Sequence, residues 1–245
     1  MYIINGATSG IGLETAKLCA STGEAVIAIG RNFEALENLT ARYENIRTFQ
    51  ISDVSDKTGI RQFLEFLDTE FGDSSISYMH SAGVFLRDST WPVEDEEGWS
   101  NQIQVNLMGT HLWNKYLTRY LVEKKLGGSI VNVVSQAWKT GGFSPISSYA
   151  ASKGGIVAMT KNFARLNAEL GIRFNCLAPG FVNNELMTHG LNQQQINSFA
   201  ELVPMKRLAE EIEIARAALY LLSDDSSYVT GIVLDVTGGL LLDSH

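Results

Sequence analysis

Short runs of apolar residues alternate with amphipathic segments of helical period along the whole chain, and this alternation restricts the fold more than any other feature. The runs are rich in Val and Ile and bounded by Gly, Asn and Asp, as is typical of strands buried on both faces of a parallel sheet. They are Tyr2–Ile4, Ala25–Ile29, Ile46–Ile51, Ile76–His80, Ser129–Val134, Arg173–Leu177 and Ile232–Val236. Parallel neighbours need long crossovers, which the amphipathic segments supply as helices on both faces. The pattern predicts an α/β fold, a doubly wound parallel sheet, in a single domain covering residues 1–245.

The composition excludes several classes of partner. Residues of apolar type make up 45% of the chain, but no run approaches the ~20 residues that span a bilayer. A net charge of −8 repels phosphate backbones and anionic lipid, so we expect neither nucleic acid nor a membrane as partner. The cysteines and histidines lack metal-ligand spacing, so we expect no metal. A strand-like run begins almost at Met1 and leaves no room for a signal peptide, which predicts a cytoplasmic protein.

A glycine-rich turn joins the first predicted strand to the first predicted helix. Its glycines are Gly6, Gly10 and Gly12, and the helix is expected to begin near Ile11. Glycine is needed where the backbone takes unusual φ/ψ or must approach a ligand closely. The N–H groups and dipole at a helix N-terminus suit a pyrophosphate, so the turn predicts a dinucleotide site, although a tight turn alone would also explain it. It is not a P-loop, because no Gly-Lys-Ser/Thr follows.

The residues after the second and third strands indicate which dinucleotide is bound. Arg31 follows the second strand, and no carboxylate stands at positions 29–31 to accept a ribose 2′-hydroxyl. The guanidinium matches a 2′-phosphate, which favours NADP(H) over NAD(H), with an ordinary surface arginine as the alternative. Asp53 follows the third strand, where it could accept a bond from the adenine amino group or simply serve as a cap or turn residue.

A tyrosine and a lysine stand four residues apart at the start of a helical stretch. Tyr149 and Lys153 therefore share one helix face, and the ammonium together with an oxidised nicotinamide ring would depress the pKa of the phenol. Tyr149 could then act as general acid or base during hydride transfer, although a Tyr packed beside a snorkelling Lys is the ordinary alternative. Ser135 ends a buried strand and could hold a substrate carbonyl oxygen. Asn106 lies inside a helical stretch and could bind a water that relays protons from Lys153.

Taken in order, these motifs resemble the short-chain dehydrogenase/reductase family over the whole chain. Further matches are Ala82-Gly83, Pro179-Gly180, Tyr228-Val229-Thr230-Gly231, Asp235 and Gly238-Gly239. The resemblance implies a Rossmann-type fold and a catalytic set of Asn106, Ser135, Tyr149 and Lys153. It also implies that an NAD(P)(H) cofactor contacts Gly6, Thr8, Ser9, Gly10, Ile11, Gly12, Arg31, Asp53, Val54, Ala82, Gly83, Tyr149, Lys153, Pro179, Gly180, Val182 and Asn184.

The chain departs from the family pattern at four places. Asn5 stands where the family usually has Thr, His80-Ser81 replaces Asn-Asn, and Asn184 replaces a Thr that often contacts the nicotinamide carboxamide. Ser135 lies one residue farther from Tyr149 than the family serine, and Gln136 occupies the usual position. A one-residue insertion in the loop 137–148 would restore Ser135 to its role. In an ungapped register Gln136 would face the substrate and catalysis would be altered.

The resemblance places a substrate pocket between the loops after the fourth, fifth and sixth strands. Its expected lining is Phe85, Gln136, Trp138, Phe143 and Met187, with Trp91, Lys139, Phe181 and Leu191 as further candidates. Aromatic and apolar residues beside a few polar ones suit a small or medium organic ketone or alcohol. The segment 183–204 lacks clear periodicity and is long for a connection, which predicts a substrate lid, or else a surface excursion with a short helix near 193–202.

The sequence leaves more than one function open. The favoured reading is an NADP(H)-dependent ketone reductase or alcohol dehydrogenase, with a reductase of acyl-carrier-linked ketones as a variant. An isomerase or lyase that uses bound cofactor is the alternative, as is a non-catalytic nucleotide-binding sensor. The long apolar segments 102–123 and 149–170 exceed what the sheet alone would cover, so a homodimer or homotetramer is expected.

Overall fold

A computed structural model describes residues 1–72, 74–86 and 96–242, and within these ranges the strands form one parallel sheet of seven. The strands are β1 (Tyr2–Asn5), β2 (Val26–Gly30), β3 (Ile46–Gln50), β4 (Ile76–His80), β5 (Gly128–Val133), β6 (Ile172–Pro179) and β7 (Val233–Val236). Their order across the sheet is β3-β2-β1-β4-β5-β6-β7, and every neighbouring pair is parallel. The predicted doubly wound α/β domain of Rossmann type is confirmed.

Helices cover both faces of this sheet. They are α1 (Gly10–Ala20), α2 (Phe33–Arg42), α3 (Lys57–Phe71), α4 (Glu96–Gln102), α5 (Gly109–Lys124), α6 (Ala137–Thr140), α7 (Ser147–Asn167), α8 (Glu185–Thr188), α9 (Gln193–Leu202) and α10 (Glu211–Leu222). A π-helical turn, Ile103–Met108, joins α4 to α5, and 3₁₀ turns lie at Ala168–Leu170 and Asp224–Ser226. One core packs α3, α5 and α7 on the sheet, and a second packs α1, α2 and α10 on the opposite face. No helix within the described ranges is long and apolar enough to span a membrane.

The strand order reverses between β1 and β4, and this reversal positions the site. The chain leaves β1 toward α1 on one face and leaves β4 toward α5 on the other, so a crevice opens beyond the carboxyl ends of these strands. Gly6 and Ala82 line it from opposite sides. A Cβ on Gly6 would lie 2.6 Å from the Ala82 nitrogen, and the φ of Gly6 is +89°, so only glycine fits there.

The segment 183–204 contains more regular structure than the sequence prediction of a lid without clear periodicity. It forms α8 and α9, and α9 begins with a capping box in which Asn192 and Gln195 bond to each other's backbone. The short helix expected over 193–202 coincides with α9. Its role as a lid is a proposal, because the fold alone does not establish movement.

Candidate active site

Ser135 and Gln136 occupy different environments although they are adjacent in the chain. The Ser135 hydroxyl is hydrogen-bonded to the Tyr149 phenol, and its oxygen accepts the Ala137 N–H at 3.2 Å. The Gln136 side chain is buried and its Oε1 accepts the Thr140 hydroxyl at 2.5 Å. Of these two residues, the structure therefore brings Ser135 to Tyr149 and gives Gln136 a packing partner in α6.

The loop between Ser135 and Tyr149 reverses the chain direction within a few residues. The chain forms the single helical turn α6 and then reverses at Gly141 and Gly142, whose φ values are +76° and +96°. Residues with a side chain rarely adopt this backbone conformation, so two successive glycines allow a tight turn back to α7. A one-residue insertion in the loop 137–148 stays a prediction.

Lys153 lies one helical turn after Tyr149, beneath the phenol ring. Its Nζ donates to the Val133 carbonyl oxygen at 2.9 Å and lies 5.4 Å from the centroid of the Tyr149 ring. Burial lowers the pKa of Lys153 to about 8. Because this pKa lies near neutral pH, the amine can exchange a proton there.

Burial dominates the pKa of Tyr149 in the protein alone. Burial raises it to about 12, and the hydrogen bond from Ser135 offsets only part of this effect. A depressed pKa was expected from the amine and an oxidised nicotinamide together, so it stays a prediction for the protein with cofactor bound. The phenol is protonated throughout the neutral range.

Asn106 tethers the loop that follows β4. Its Oδ1 accepts the Val84 N–H at 2.8 Å, its Nδ2 donates to the Val84 carbonyl at 2.9 Å, and Nδ2 lies 3.3 Å from the Ser152 hydroxyl. Asn106 lies in the π-helical turn, a rare geometry that often marks functional sites. The side chain holds the loop against α7, and its expected part in a proton relay stays a prediction.

The glycine turn leaves the N-terminus of α1 open to an anion. Ser9 is the N-cap residue but makes no side-chain capping bond, and the first turn of α1 contains no acidic residue. The first-turn N–H groups of a helix have no partner within the helix and carry a partial positive charge. A Cβ on Gly12 would collide with the Gly6 carbonyl, so only glycine fits at this position. This cradle fits the pyrophosphate of a dinucleotide.

The residues after β2 lie beside the cradle. A side chain at Gly30 would collide with Thr8 of the glycine turn, so Arg31 begins next to the cradle. Arg31 is exposed, and among the described residues no carboxylate forms an ion pair with it. Its guanidinium is thus available to an anionic ligand.

Asp53 and Val54 have structural partners after β3. Oδ1 of Asp53 accepts both the N–H and the hydroxyl of Ser55 at 2.8 Å, which is a turn interaction. The Val54 carbonyl accepts the Trp113 indole N–H at 3.0 Å. The structure thus shows the turn role of Asp53, and a contact with adenine stays a prediction.

The remaining expected cofactor residues lie at the carboxyl ends of β4 and β6. A Cβ on the exposed Gly83 would lie 3.0 Å from Oδ1 of Asn106 and 3.9 Å from Nζ of Lys153. Gly180 follows Pro179 and packs against Thr237, whose Cα would be 2.9 Å from an added Cβ. Val182 is buried, and Asn184 caps α8 by accepting the Met187 N–H at 3.0 Å.

Three of the five expected substrate residues make aromatic or apolar contacts, one with Tyr149 and two in an aromatic wall around Phe181. Phe85 meets the Tyr149 ring edge to face at 4.7 Å. The ring centroids of Phe143 and Phe181 are 5.7 Å apart, and Met187 packs against the cluster that contains Phe181. Gln136 is engaged with Thr140, and Trp138 packs in a core cluster with residues such as Val134 and Ile156 rather than with these rings.

The other substrate candidates add little to this wall. Lys139 is exposed and Leu191 is half-buried, while Trp91 lies outside the described residues.

Sequence reasoning missed two residues near the site. Phe199 of α9 lies 4.9 Å from the Phe181 ring, and the amphipathic spacing of Ile196, Phe199 and Ala200 could have indicated it. Glu211, the first residue of α10, lies beside Gly10, and no sequence signal connects these distant positions.

Two departures from the family pattern form one buried cluster. Asn5 and His80 are neighbours across β1 and β4. The Tyr78 hydroxyl lies 2.7 Å from Nδ1 of His80 and accepts from Nδ2 of Asn5 at 3.2 Å. Burial lowers the pKa of His80 to about 3, and the positive charge of Lys153 adds to this effect.

Comparison with known proteins covers almost the entire chain. A family model described as Enoyl-(Acyl carrier protein) reductase matches residues 6–241. The chain is 33% identical to 3-oxoacyl-[acyl-carrier-protein] reductase FabG of Haemophilus influenzae, over 98% of this chain and 97% of that protein. It is 32% identical to the human (3R)-3-hydroxyacyl-CoA dehydrogenase, over 99% and 95%. A crystal structure of a short chain dehydrogenase from Bacillus anthracis superposes with a TM-score of 0.89 at 30% identity, covering 100% of this chain and 97% of that one.

Proposed function

We propose that this chain, which belongs to the short-chain dehydrogenase/reductase family, transfers a hydride between NADP(H) and a small or medium organic ketone or alcohol. Tyr149 is the general acid/base of this proposal. The observation that carries it is the hydrogen bond between Ser135 and Tyr149, with the amine of Lys153 5.4 Å from the phenol ring. Two hydroxyl groups that meet at one point suit a single carbonyl oxygen, which can accept both.

The residues of the site divide the work of carbonyl reduction. The nicotinamide, when bound, supplies the hydride. Ser135 donates to the carbonyl oxygen and stabilises the negative charge that develops on it. Tyr149 transfers its proton to that oxygen, a favourable step because an alkoxide is more basic than a phenolate. Lys153 stabilises the phenolate left behind and returns a proton to it, which a pKa of about 8 allows near neutral pH.

Several features support NADP(H) as the cofactor. The open N-terminus of α1 suits the pyrophosphate, and Lys153 lies near Gly83 beyond the end of β4. Arg31 supplies a cation with no ion-pair partner among the described residues, and it follows β2, where the sequence has no carboxylate to accept a free 2′-hydroxyl. NAD(H) is the weaker ligand in this proposal.

The relatives favour a specific ketone class as a second candidate. The names of several of them specify 3-oxoacyl groups on an acyl carrier protein, and the human relative's name specifies a hydroxyacyl-CoA. The aromatic wall around Phe181 would accept an acyl chain as well as a free ketone. The net charge of −8 opposes docking of an acidic carrier protein, so a free ketone is preferred.

The two alternative functions lose their main support. An isomerase or lyase was favoured by Gln136 facing the substrate, but Gln136 bonds to Thr140. A nucleotide sensor has no need of a Ser-Tyr-Lys arrangement. The proposal also includes a cytoplasmic location, which suits the two unpaired buried cysteines, and assembly as a homodimer or homotetramer.

A cofactor-oxidation screen tests the proposed function. The purified protein is mixed with NADPH and a panel of free ketones, 3-oxoacyl thioesters and ring enones, and absorbance of the reduced cofactor is followed. Turnover of a ketone or 3-oxoacyl thioester that is lost in Tyr149→Phe supports the proposal. Conversion of the enone without net oxidation of NADPH would instead indicate isomerase chemistry. Binding of NADPH with no turnover of any compound would favour the sensor.

A further inference from the structure

A carboxylate from a distant part of the sequence lies at the expected pyrophosphate cradle. Glu211 is the first residue of α10, and its Oε1 lies 3.5 Å from the position that a Cβ on Gly10 would occupy. Gly10 is the first residue of α1 and has a φ of +59°. The two helices pack side by side in the same core cluster, so their N-termini meet at this place.

Asn184 links this carboxylate to the start of the segment 183–204. Its Oδ1 accepts the Met187 N–H at 3.0 Å, and its side-chain amide is hydrogen-bonded to Glu211. Nδ2 of Asn184 lies 3.9 Å from the position of a Gly10 Cβ. The group expected at the nicotinamide is therefore engaged by Glu211 in the protein alone.

Glu211 carries an electrostatic cost in this position. It is half-buried, and burial raises the pKa of its carboxyl, an effect to which the charges of Glu14 on α1 and of Glu210 add. Lys17 on α1 opposes the shift but is itself paired with Glu14 at 2.6 Å. A negative charge beside the unpaired N–H groups of α1 competes for the site that a pyrophosphate needs.

We propose that the ionised Glu211 carboxylate opposes binding of the cofactor's pyrophosphate, so that NADP(H) binds more tightly as the pH falls. This inference rests on the proposed cofactor site. Protonation of Glu211 removes the like charge while leaving a hydrogen-bonding group for Asn184. At a separation of a few ångströms in a partly hydrated site, one removed charge is expected to change affinity about tenfold.

The test separates the charge of Glu211 from its bond to Asn184. The dissociation constant of NADPH is measured by intrinsic fluorescence for the wild type, Glu211→Gln and Glu211→Ala at about pH 8 and about pH 5. Glu211→Gln removes the charge and retains an acceptor for Asn184, whereas Glu211→Ala removes both. We expect Glu211→Gln to bind about tenfold more tightly at the higher pH, with a smaller difference at the lower pH. The ratio to wild type cancels the titration of the ligand itself.

Glu210→Gln is the matched control, because it removes the same charge one residue away. Glu210 is exposed and accepts from Nδ2 of Asn183 at 3.3 Å. A gain in Glu210→Gln equal to that in Glu211→Gln would overturn the inference, as would a gain only in Glu211→Ala or no gain at all. If neither the wild type nor any variant binds NADPH or NADH, the proposed function itself fails. If NADPH binds with an affinity that does not depend on Glu211, only the present inference fails.

Discussion

Ser135 and Tyr149 meet through their hydroxyl groups, and this contact yields the most direct test at the scale of single residues. Tyr149→Phe retains the ring but removes its proton, so kcat should fall by about 10² or more while NADPH affinity changes little. Ser135→Ala should lower kcat by a similar factor, because its hydroxyl faces the developing charge. Gln136→Ala should have a clearly smaller effect, since Gln136 bonds to Thr140. The measurement is kcat for all three variants on a substrate found in the screen.

The opposite ranking of Ser135→Ala and Gln136→Ala would contradict the assignment. It would indicate a Gln-Tyr-Lys site and would favour the isomerase or lyase alternative.

Arg31 carries the second prediction at this scale. Arg31→Ala should weaken NADPH binding at least tenfold and leave NADH binding almost unchanged, because an arginine–phosphate contact contributes about 1.5–3 kcal/mol. Fluorescence titration of both cofactors measures this. Arg42→Ala is the control, since Arg42 is an exposed arginine at the other end of α2. Equal affinity of the wild type for the two cofactors would refute the preference for NADP(H).

His80 links stability to pH. Its folded pKa is about 3, below the usual 6.5, because burial disfavours the charged ring. Below pH ~6.5 the unfolded chain binds a proton that the folded chain does not, so stability falls as the pH decreases toward 3. At about pH 5 the loss from this residue is on the order of 2 kcal/mol. Denaturant unfolding of the wild type should show this loss between about pH 7 and pH 5.

His80→Asn should reduce the slope of stability against pH, because a neutral amide does not titrate. The exposed His189→Asn is the control and should retain the wild-type slope. An unchanged slope in His80→Asn would show that other groups cause the acid destabilisation.

At the scale of elements, the strands were the most predictable feature. Strand β2 was expected at Ala25–Ile29 and lies at Val26–Gly30, because a strand buried on both faces is a continuous apolar run. The π-helical turn at Ile103–Met108 was not predictable, since it interrupts a helical pattern without changing its composition. The capping box of α9 was readable as Asn192 followed three residues later by Gln195.

The site was predictable to the extent that its residues follow strand ends. Ser135 and Tyr149 are close because one follows β5 and the other begins α7, an order that the sequence displays. The contact between Gly10 and Glu211 depends on how α1 packs beside α10, and a local pattern does not contain that information. The raised pKa of Tyr149 depends likewise on burial, which only the assembled fold determines.

The proposed lid α9 makes the prediction that belongs to this scale. The helix has no fully buried residue within Gln193–Leu202, and Phe199 joins it to Phe181 at 4.9 Å. Phe199→Ala should weaken this docking by about 1–2 kcal/mol and raise KM for the ketone about tenfold, with NADPH affinity unchanged. Steady-state kinetics measures the effect, with the exposed Gln194→Ala as control. A lower melting temperature with an unchanged KM would show that Phe199 serves only the fold.

At the scale of the whole molecule, exposed apolar side chains indicate where copies would meet. Leu166 at the end of α7 is 68% exposed and Val122 near the end of α5 is 42% exposed, while Leu242 in the C-terminal segment is 76% exposed. Single exposed leucines are ordinary, but Leu166 and Val122 lie on the long helices that the sequence predicted to be interfaces. A stable dimer buries about 1,600 Å² in total, so its interface would extend beyond these three side chains.

Light scattering at micromolar concentration should therefore give the mass of a dimer or tetramer, and Leu166→Glu should shift it toward the monomer. Phe33→Glu is the control, since Phe33 is 57% exposed at the start of α2, away from these helices.

Each copy carries a charge of −8, so association works against mutual repulsion that salt screens over about 8–10 Å. The oligomeric fraction should consequently increase from low to physiological ionic strength. Because Leu166→Glu adds a charge at the interface, its oligomeric fraction should depend more strongly on salt than that of the wild type. A monomeric mass for the wild type at every salt concentration would contradict the assembly, because screening removes the repulsion and leaves only the apolar contact to act.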